Sequence, residues 1–382
     1  MNYQTLFDTY KESSIEGRYI CLQHIEPYLI TLKNQGKVIE LGHSVRNQPI
    51  YVYKNGSGKQ KVMMWSQMHG NESTTTKALF DLFNYLDSEE GKYLTEKFTF
   101  LIIPMLNPDG AQVWTRVNAN EVDLNRDSQN LTQPESKILR ECLEEFEPDF
   151  CFNLHDQRTI FGVEGTHNPA TISFLAPSYD IDKNINEPRK RAMEQIAYMN
   201  DALQTYIPNQ VGRYDDSFNI NCIGDTVMNM NIPVVLMEAG HYPNDYQRES
   251  TRKYVFISLV EGLKTLNLAE NLTDKYLEYF NIPPNKVFFF DFIYKNIKLN
   301  YENKQIITNF AVQFSESIEN QQVFFQGYIS EIGDLEGFHG HLEFDGQSEE
   351  FKDLSGRKYP EVNQKAIFYL GDTLFKNTLQ DN

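Results

Sequence analysis

The sequence predicts a mixed α/β fold, with a mostly parallel central sheet and helices on both faces, followed by a small β-rich domain. Three observations support this prediction. Apolar runs typical of buried strands alternate with amphipathic helical segments up to about residue 270. Three of these strands run into a polar residue suited to metal or acid–base chemistry. Beyond residue 282, short aromatic and β-branched runs separated by polar turns replace the alternating pattern.

The elements follow one another along the first part of the chain. Helical spacing of apolar residues predicts helices over these ranges: 18–35, 73–88, 134–145, 187–206 and 248–266. Apolar runs predict strands over these ranges: 37–41, 50–54, 61–68, 98–106, 149–154 and 233–237. Asn107-Pro108-Asp109-Gly110 predicts a turn, and residues 114–127 and 208–224 are typical of loops. The stretch 157–186 has too little periodicity to assign.

The residues at the ends of three predicted strands are His69, His155 and Glu238. Ligands of open α/β sheets bind outside the carboxyl ends of the strands, so we expect these side chains to meet. Glu72 lies three residues after His69, close enough for both to reach one ion. Imidazole and carboxylate ligands suit Zn²⁺. A lone His-x-x-Glu pair is weak evidence, but three strands ending in this way predict a shared site.

The chain changes character near Ile282, where the segment IPPNK is a plausible linker because of its adjacent prolines. We therefore expect a catalytic domain over residues 1–280 and a β-rich accessory domain over 285–382. His339 and His341 alternate in the second domain and are expected on one side of a strand. An ordinary exposed strand is the preferred interpretation there, with a metal site as the alternative.

Composition excludes several classes of partner. The chain has 382 residues, a net charge of −18 and a pI of about 4.9, which argues against nucleic acid or an anionic membrane as partner. The start has no pattern of a signal peptide, and no apolar stretch is as long as a membrane span, so a cytoplasmic protein is expected. The four cysteines form no Cys-x-x-Cys pair and are expected to be reduced thiols, mostly in the core. The oligomeric state is not predicted.

The order of these motifs over roughly residues 15–270 resembles the zinc metallocarboxypeptidases, in the branch that carries His-Gly-Asn-Glu. The motifs are His69-Gly-Asn-Glu72, Asn107-Pro-Asp-Gly110, Arg116, Asp123-Leu-Asn-Arg126, His155 and Glu238. The resemblance implies one Zn²⁺ per chain, with His69, Glu72 and His155 as ligands and Glu238 as general base and acid. It also implies that Arg116 stabilises the oxyanion, that Asn125 and Arg126 bind the substrate carboxylate, and that Asp123 orients a metal-binding histidine.

Some positions fit this resemblance less well. The mobile tyrosine of the family has its nearest match in Tyr214, although Phe218 is as close. Asp156 follows His155 where a small neutral residue is expected, and its charge suits either tuning of the metal or recognition of a basic substrate. Arg158 and Asp225 are candidates for a specificity pocket, without an assigned role.

These residues predict hydrolysis of a peptide or amide bond next to a free C-terminal carboxylate. The nearest alternative is a zinc amidase or deacylase that acts on a non-standard substrate, such as a cell-wall peptide, an N-acyl amino acid or a polyglutamate side chain. A non-catalytic binding module on the same fold is a further alternative, since a fold does not by itself establish a function.

Overall fold

The computed structural model describes residues 3–267, 271–302 and 304–380, and it divides them into two compact units. The first unit comprises the described residues up to Gln157 together with Val163–Asn285. The second comprises Arg158–Gly162 and the described residues from Lys286 onwards. The division into a catalytic domain over residues 1–280 and an accessory domain over residues 285–382 stays a prediction.

Helices and strands alternate through the first unit. The helices are α1 (Tyr3–Tyr10), α2 (Leu22–Asn34), α3 (Thr74–Leu86), α4 (Lys92–Lys97), α5 (Pro108–Val113), α6 (Pro134–Phe146), α7 (Glu187–Gln204), α8 (Ile223–Asn229) and α9 (Glu249–Thr265). The strands are β1 (Val38–His43), β2 (Pro49–Asn55), β3 (Gln60–Trp65), β4 (Phe98–Ile103), β5 (Phe150–Asp156), β6 (Phe161–Val163), β7 (Ile172–Leu175), β8 (Val211–Arg213) and β9 (Val234–Ala239).

Eight of these strands form one sheet, in the order β1-β2-β4-β3-β5-β9-β7-β8. The central strands β4, β3, β5 and β9 run parallel to one another, whereas β1, β2 and β7 add antiparallel pairings. Strands β3 and β5 are buried almost throughout, as expected of strands in the middle of a parallel sheet. The predicted mixed α/β fold is confirmed.

Strands β5 and β9 are longer than predicted, and this changes how the site is built. Each was expected to stop before its polar residue, but β5 includes His155 and β9 includes Glu238. The register places Glu238 beside His155 on the neighbouring parallel strand. Sheet hydrogen bonds therefore fix the backbones of both residues.

The predicted turn at Asn107–Gly110 is wrong, because these residues begin helix α5. The side chain of Asn107 accepts a hydrogen bond from the Gly110 amide at 2.8 Å, and Pro108 occupies the first turn. Asparagine followed by proline suits both a turn and a helix start, so the local sequence does not decide between them. The loops predicted over 114–127 and 208–224 contain a 3₁₀ turn (Leu124–Arg126), strand β8 and the start of α8.

The second unit is β-rich, as expected. Its strands are β10 (Asn285–Val287), β11 (Phe289–Tyr301), β12 (Lys304–Glu319), β13 (Gln322–Gly333), β14 (His339–Asp345), β15 (Phe351–Asp353), β16 (Ile367–Leu370), β17 (Thr373–Lys376) and β18 (Thr378–Gln380). A five-stranded sheet has the order β14-β11-β12-β13-β18, and β15, β16 and β17 form a second sheet. Aromatic rings contribute to its core: Tyr294 stacks on Phe310, and Phe368 packs edge-on against both.

Across residues 3–267, 271–302 and 304–380, every helix is too short or too polar to cross a membrane. All four cysteines are free thiols, and three of them are buried.

Candidate active site

Three side chains predicted as metal ligands converge in the first unit. His69 lies in the turn after β3, Glu72 immediately precedes α3, and His155 lies near the end of β5. All three are buried. Nδ1 of His69 is 2.8 Å from one carboxylate oxygen of Glu72, and Nδ1 of His155 is 2.9 Å from the other.

This arrangement fits a metal ion. The two Nδ1 atoms are only 3.2 Å apart and both face the carboxylate of Glu72. Two ring nitrogens and a carboxylate in this arrangement are the donor set that Zn²⁺ takes in catalytic sites, where a fourth position stays open. Within the described residues, this is also the one group of His, Cys, Asp or Glu side chains that converges closely enough to hold a metal.

Asp123 contacts the ring of His69 on the side away from Glu72. Its Oδ1 is 3.0 Å from Nε2 of His69, the ring nitrogen that points away from Glu72. Were Nδ1 to bind a metal, Nε2–H would donate to Asp123, and such a bond would fix the tautomer and the ring orientation. Asp123 also accepts a hydrogen bond from the Asn125 amide at 2.9 Å, which begins the 3₁₀ turn.

Arg116 reaches the same cluster. Its Nε donates to Asp123 at 3.1 Å and its Nη1 donates to Glu72 at 3.2 Å. The side chain is 46% exposed, so part of the guanidinium faces solvent at the rim of the site. A fixed cation at this position can stabilise negative charge that develops on a bound carbonyl oxygen.

Glu238 lies beside this group on β9. Burial raises its pKa well above the ordinary value, and the negative charges of Glu72 and Asp156 raise it further. The positive charges of Arg116 and Arg248 oppose this effect. Glu238 itself is half-buried. A carboxyl group whose pKa is raised in this way suits a proton acceptor and donor.

Asn125 and Arg126 lie beside the start of α8. Oδ1 of Asn125 accepts a hydrogen bond from the Ile223 amide at 2.9 Å. Arg126 Nη1 donates to the Asn125 carbonyl at 2.8 Å and contacts Sγ of Cys222 at 3.1 Å. The sequence predicted Cys222 only as a reduced thiol, because the residues around it do not indicate a contact with Arg126, which lies 96 positions away.

Tyr214 follows β8, and its backbone amide donates to the Phe174 carbonyl at 2.8 Å. Burial raises the pKa of its phenol to about 12, and the charges of Glu238 and Glu72 contribute. The phenol therefore lies within electrostatic reach of both site carboxylates. The assignment of Tyr214 as the tyrosine expected from the sequence stays a prediction.

The remaining candidates lie in different places. Asp225 is buried in the first turn of α8, accepts a hydrogen bond from the Asn219 amide, and has its pKa raised to about 6 by burial. Arg158 is exposed and belongs to the second unit. His341 stacks on Phe289, and His339 contacts the same ring, so the two histidines share one side of β14 as expected.

The comparisons with known proteins agree with this geometry. A family model described as zinc carboxypeptidase matches residues 25–153, about a third of the chain. Carboxypeptidase 2 of Trichophyton tonsurans is 28% identical over 107 residues, which cover 28% of this chain and 20% of that protein. Carboxypeptidase SOL1 of Arabidopsis thaliana is 26% identical over 164 residues, covering 37% of this chain and 33% of that protein. The chain thus spans only a fifth to a third of the length of these curated relatives.

Solved structures share the fold. A metallo-carboxypeptidase from Burkholderia cenocepacia has a TM-score of 0.52 at 18% identity, with 63% of this chain and 68% of that chain covered. Carboxypeptidase A from Helicoverpa armigera has a TM-score of 0.51 at 17% identity, with 69% and 80% covered. The resemblance found in the sequence is therefore confirmed: this chain has the fold of the zinc carboxypeptidases, matches their family model over residues 25–153, and carries a His-Glu-His group suited to their metal.

Proposed function

We propose that this chain is a zinc-dependent metallocarboxypeptidase that hydrolyses a peptide or amide bond next to a free C-terminal carboxylate. The observation that carries the proposal is the convergence of His69, Glu72 and His155, with Glu238 in register on the adjacent strand. A zinc ion held by these three ligands would lower the pKa of a bound water to about 7 and would polarise a carbonyl group.

The side chains around the metal group have complementary tasks. Glu238 takes a proton from the attacking water and delivers it to the leaving amine. Arg116 stabilises the negative charge that develops on the carbonyl oxygen. Asp123 holds the ring of His69 in one tautomer, and Tyr214 contributes a phenol that stays protonated at neutral pH because its pKa is raised to about 12.

Asn125 and Arg126 form the proposed carboxylate anchor, which binds the free C-terminal carboxylate of the substrate and so makes the proposed enzyme an exopeptidase. A guanidinium group binds a carboxylate through two parallel hydrogen bonds, so Arg126 is suited to hold the free end of the substrate. Its Nη1 is directed by the Asn125 carbonyl and by Cys222. The amide group of Asn125 is held in turn by the Ile223 backbone. A cytoplasmic location is part of this proposal and rests on the sequence alone.

Arg126→Met tests the anchor. We expect the wild-type protein to cleave peptides with a free carboxylate in preference to the same peptides with an amidated terminus. Loss of a hydrogen-bonded charge pair costs roughly 1.5–3 kcal/mol, so the variant is expected to lower kcat/KM for free-carboxylate peptides about 10- to 100-fold. The substitution is expected to leave kcat/KM for amidated peptides unchanged.

Arg191→Met provides the matched control, because Arg191 lies on α7 and pairs with Glu187 outside the site. This control is expected to retain the wild-type preference. If wild-type protein cleaves amidated peptides as well as free ones, the anchor role of Asn125 and Arg126 is wrong. The amidase alternative then becomes the better description.

A further inference from the structure

Asp156 is the last residue of β5, directly after His155, and it is buried. Its Oδ2 accepts hydrogen bonds from the backbone amide of Thr74 at 3.0 Å and from the Thr74 hydroxyl at 2.5 Å. Arg18 Nη1 donates to the same oxygen at 3.1 Å, and Arg248 Nη1 lies 3.7 Å from it. The carboxylate is thus enclosed by protein groups, which argues against recognition of a basic substrate.

Asp156 also contacts the candidate ligand Glu72 through its own backbone. The Asp156 amide donates to Oε2 of Glu72 at 3.1 Å, the same oxygen that faces Nδ1 of His155. Thr74, bound by the Asp156 side chain, lies two residues after Glu72. Asp156 therefore holds Glu72 in two ways. Its backbone amide binds the Glu72 carboxylate, and its side chain binds Thr74 in the segment that follows Glu72.

The start of α3 needs an acceptor of this kind. Ser73 occupies the capping position, but its hydroxyl donates to the Arg18 carbonyl at 2.6 Å and makes no cap. The first amide groups of a helix have no acceptor within the helix, and an anion near them is favoured by the helix dipole. Asp156 supplies both the acceptor and the charge from the neighbouring strand.

Arg248 extends this arrangement to the strand that carries Glu238. Its guanidinium donates to the Ala239 carbonyl through Nη1 and to the Gln157 carbonyl at 2.6 Å through Nη2. Ala239 follows Glu238, and Gln157 follows Asp156. Arg248 therefore joins the ends of β9 and β5 at the points where their two functional side chains lie.

We propose that Asp156, with Arg18 and Arg248, is a positioning residue that fixes the Glu72 carboxylate for metal binding and locks the ends of β5 and β9 together. The inference rests on the zinc site of the proposed function. It gives the Asp156 carboxylate, which directly follows His155, the role of supporting the metal ligands. Loss of such a supporting group in other metal sites lowers metal affinity about 10- to 100-fold.

The test measures zinc affinity by competition with a chromophoric chelator, alongside thermal unfolding. Asp156→Asn is expected to bind zinc about 10- to 100-fold more weakly than wild type. Thr74→Val removes one donor to Asp156 and is expected to cause a smaller loss in the same direction. Asp81→Asn is the matched control: it makes the same change at an equally buried, Arg-paired carboxylate farther along α3, and is expected to lower stability without changing zinc affinity.

The outcomes separate this inference from the proposed function. Wild-type protein that binds no zinc overturns the proposed function and the inference together. Wild-type binding with an unchanged affinity in Asp156→Asn overturns the inference alone. An equal loss in Asp81→Asn also overturns it, because the effect is then general destabilisation. Where Asp156→Asn does not fold, Thr74→Val decides, and wild-type zinc affinity in that variant contradicts the inference.

Discussion

Replacing Glu238 by Gln is expected to lower kcat about 10²- to 10⁴-fold, the usual contribution of a positioned general base. Glutamine keeps the size of the side chain but cannot accept a proton from water. Zinc content and KM are expected to stay near wild type, because Glu238 lies outside the His69–Glu72–His155 group. Steady-state kinetics with a peptide substrate measures kcat and KM, and metal analysis measures the zinc content.

Glu135→Gln is the matched control for this substitution. Glu135 on α6 is a buried carboxyl group whose pKa, like that of Glu238, is raised by burial, and it accepts hydrogen bonds from Asn118 and from the Val45 amide. The folded fraction of this control is expected to retain wild-type kcat. A Glu238→Gln variant with wild-type kcat would show that the proton acceptor is another group.

Asp81→Ala is expected to lower the free energy of unfolding by about 3–5 kcal/mol, because it removes the buried carboxylate that pairs with the buried Arg252 and leaves, among the described residues, only the partly exposed Glu249 as a charged partner. Asp81 on α3 and Arg252 on α9 are both fully buried and joined by two hydrogen bonds, at 2.6 and 2.8 Å. Arg252 also donates to the carbonyl groups of Glu12 and Ile15. The pair thus ties α3 and α9 to the N-terminal segment. Urea unfolding followed by circular dichroism measures the effect.

Glu89→Ala is the control for an exposed pair. Glu89 and Lys92 are separated by 3.8 Å and are both largely exposed, so water and salt screen their interaction. Its removal is expected to change the unfolding midpoint little. An Asp81→Ala variant as stable as the Glu89→Ala control would contradict the structural role of the buried pair.

The sequence predicts most of the fold because the central strands carry a strong local signal. Runs such as Val62–Trp65 and Phe150–Leu154 are apolar at nearly every position, and such short runs are typical of strands buried on both faces. The segments that were missed have mixed composition. Strand β7 lies in the unassigned stretch, and its place next to β9 depends on partners distant in sequence.

The candidate metal ligands were also predictable, because His69 and His155 lie near the ends of recognisable strands and Glu72 follows His69 by three residues. The residues that support these ligands were not predictable from the sequence. Arg18 and Arg248 reach Asp156 from positions 138 residues before it and 92 residues after it in the chain. Neither arginine has a local pattern that distinguishes it from a surface residue. The one available signal was Asp156 itself, an acidic side chain directly after a metal-ligand candidate.

The most direct test of the central claim is zinc content of the purified protein, measured together with release of C-terminal amino acids from a mixed peptide library, with and without chelator. We predict about one zinc ion per chain, and release that chelation abolishes and added zinc restores. A protein that takes up no zinc after reconstitution, or that releases amino acids equally well in the presence of chelator, would contradict the account.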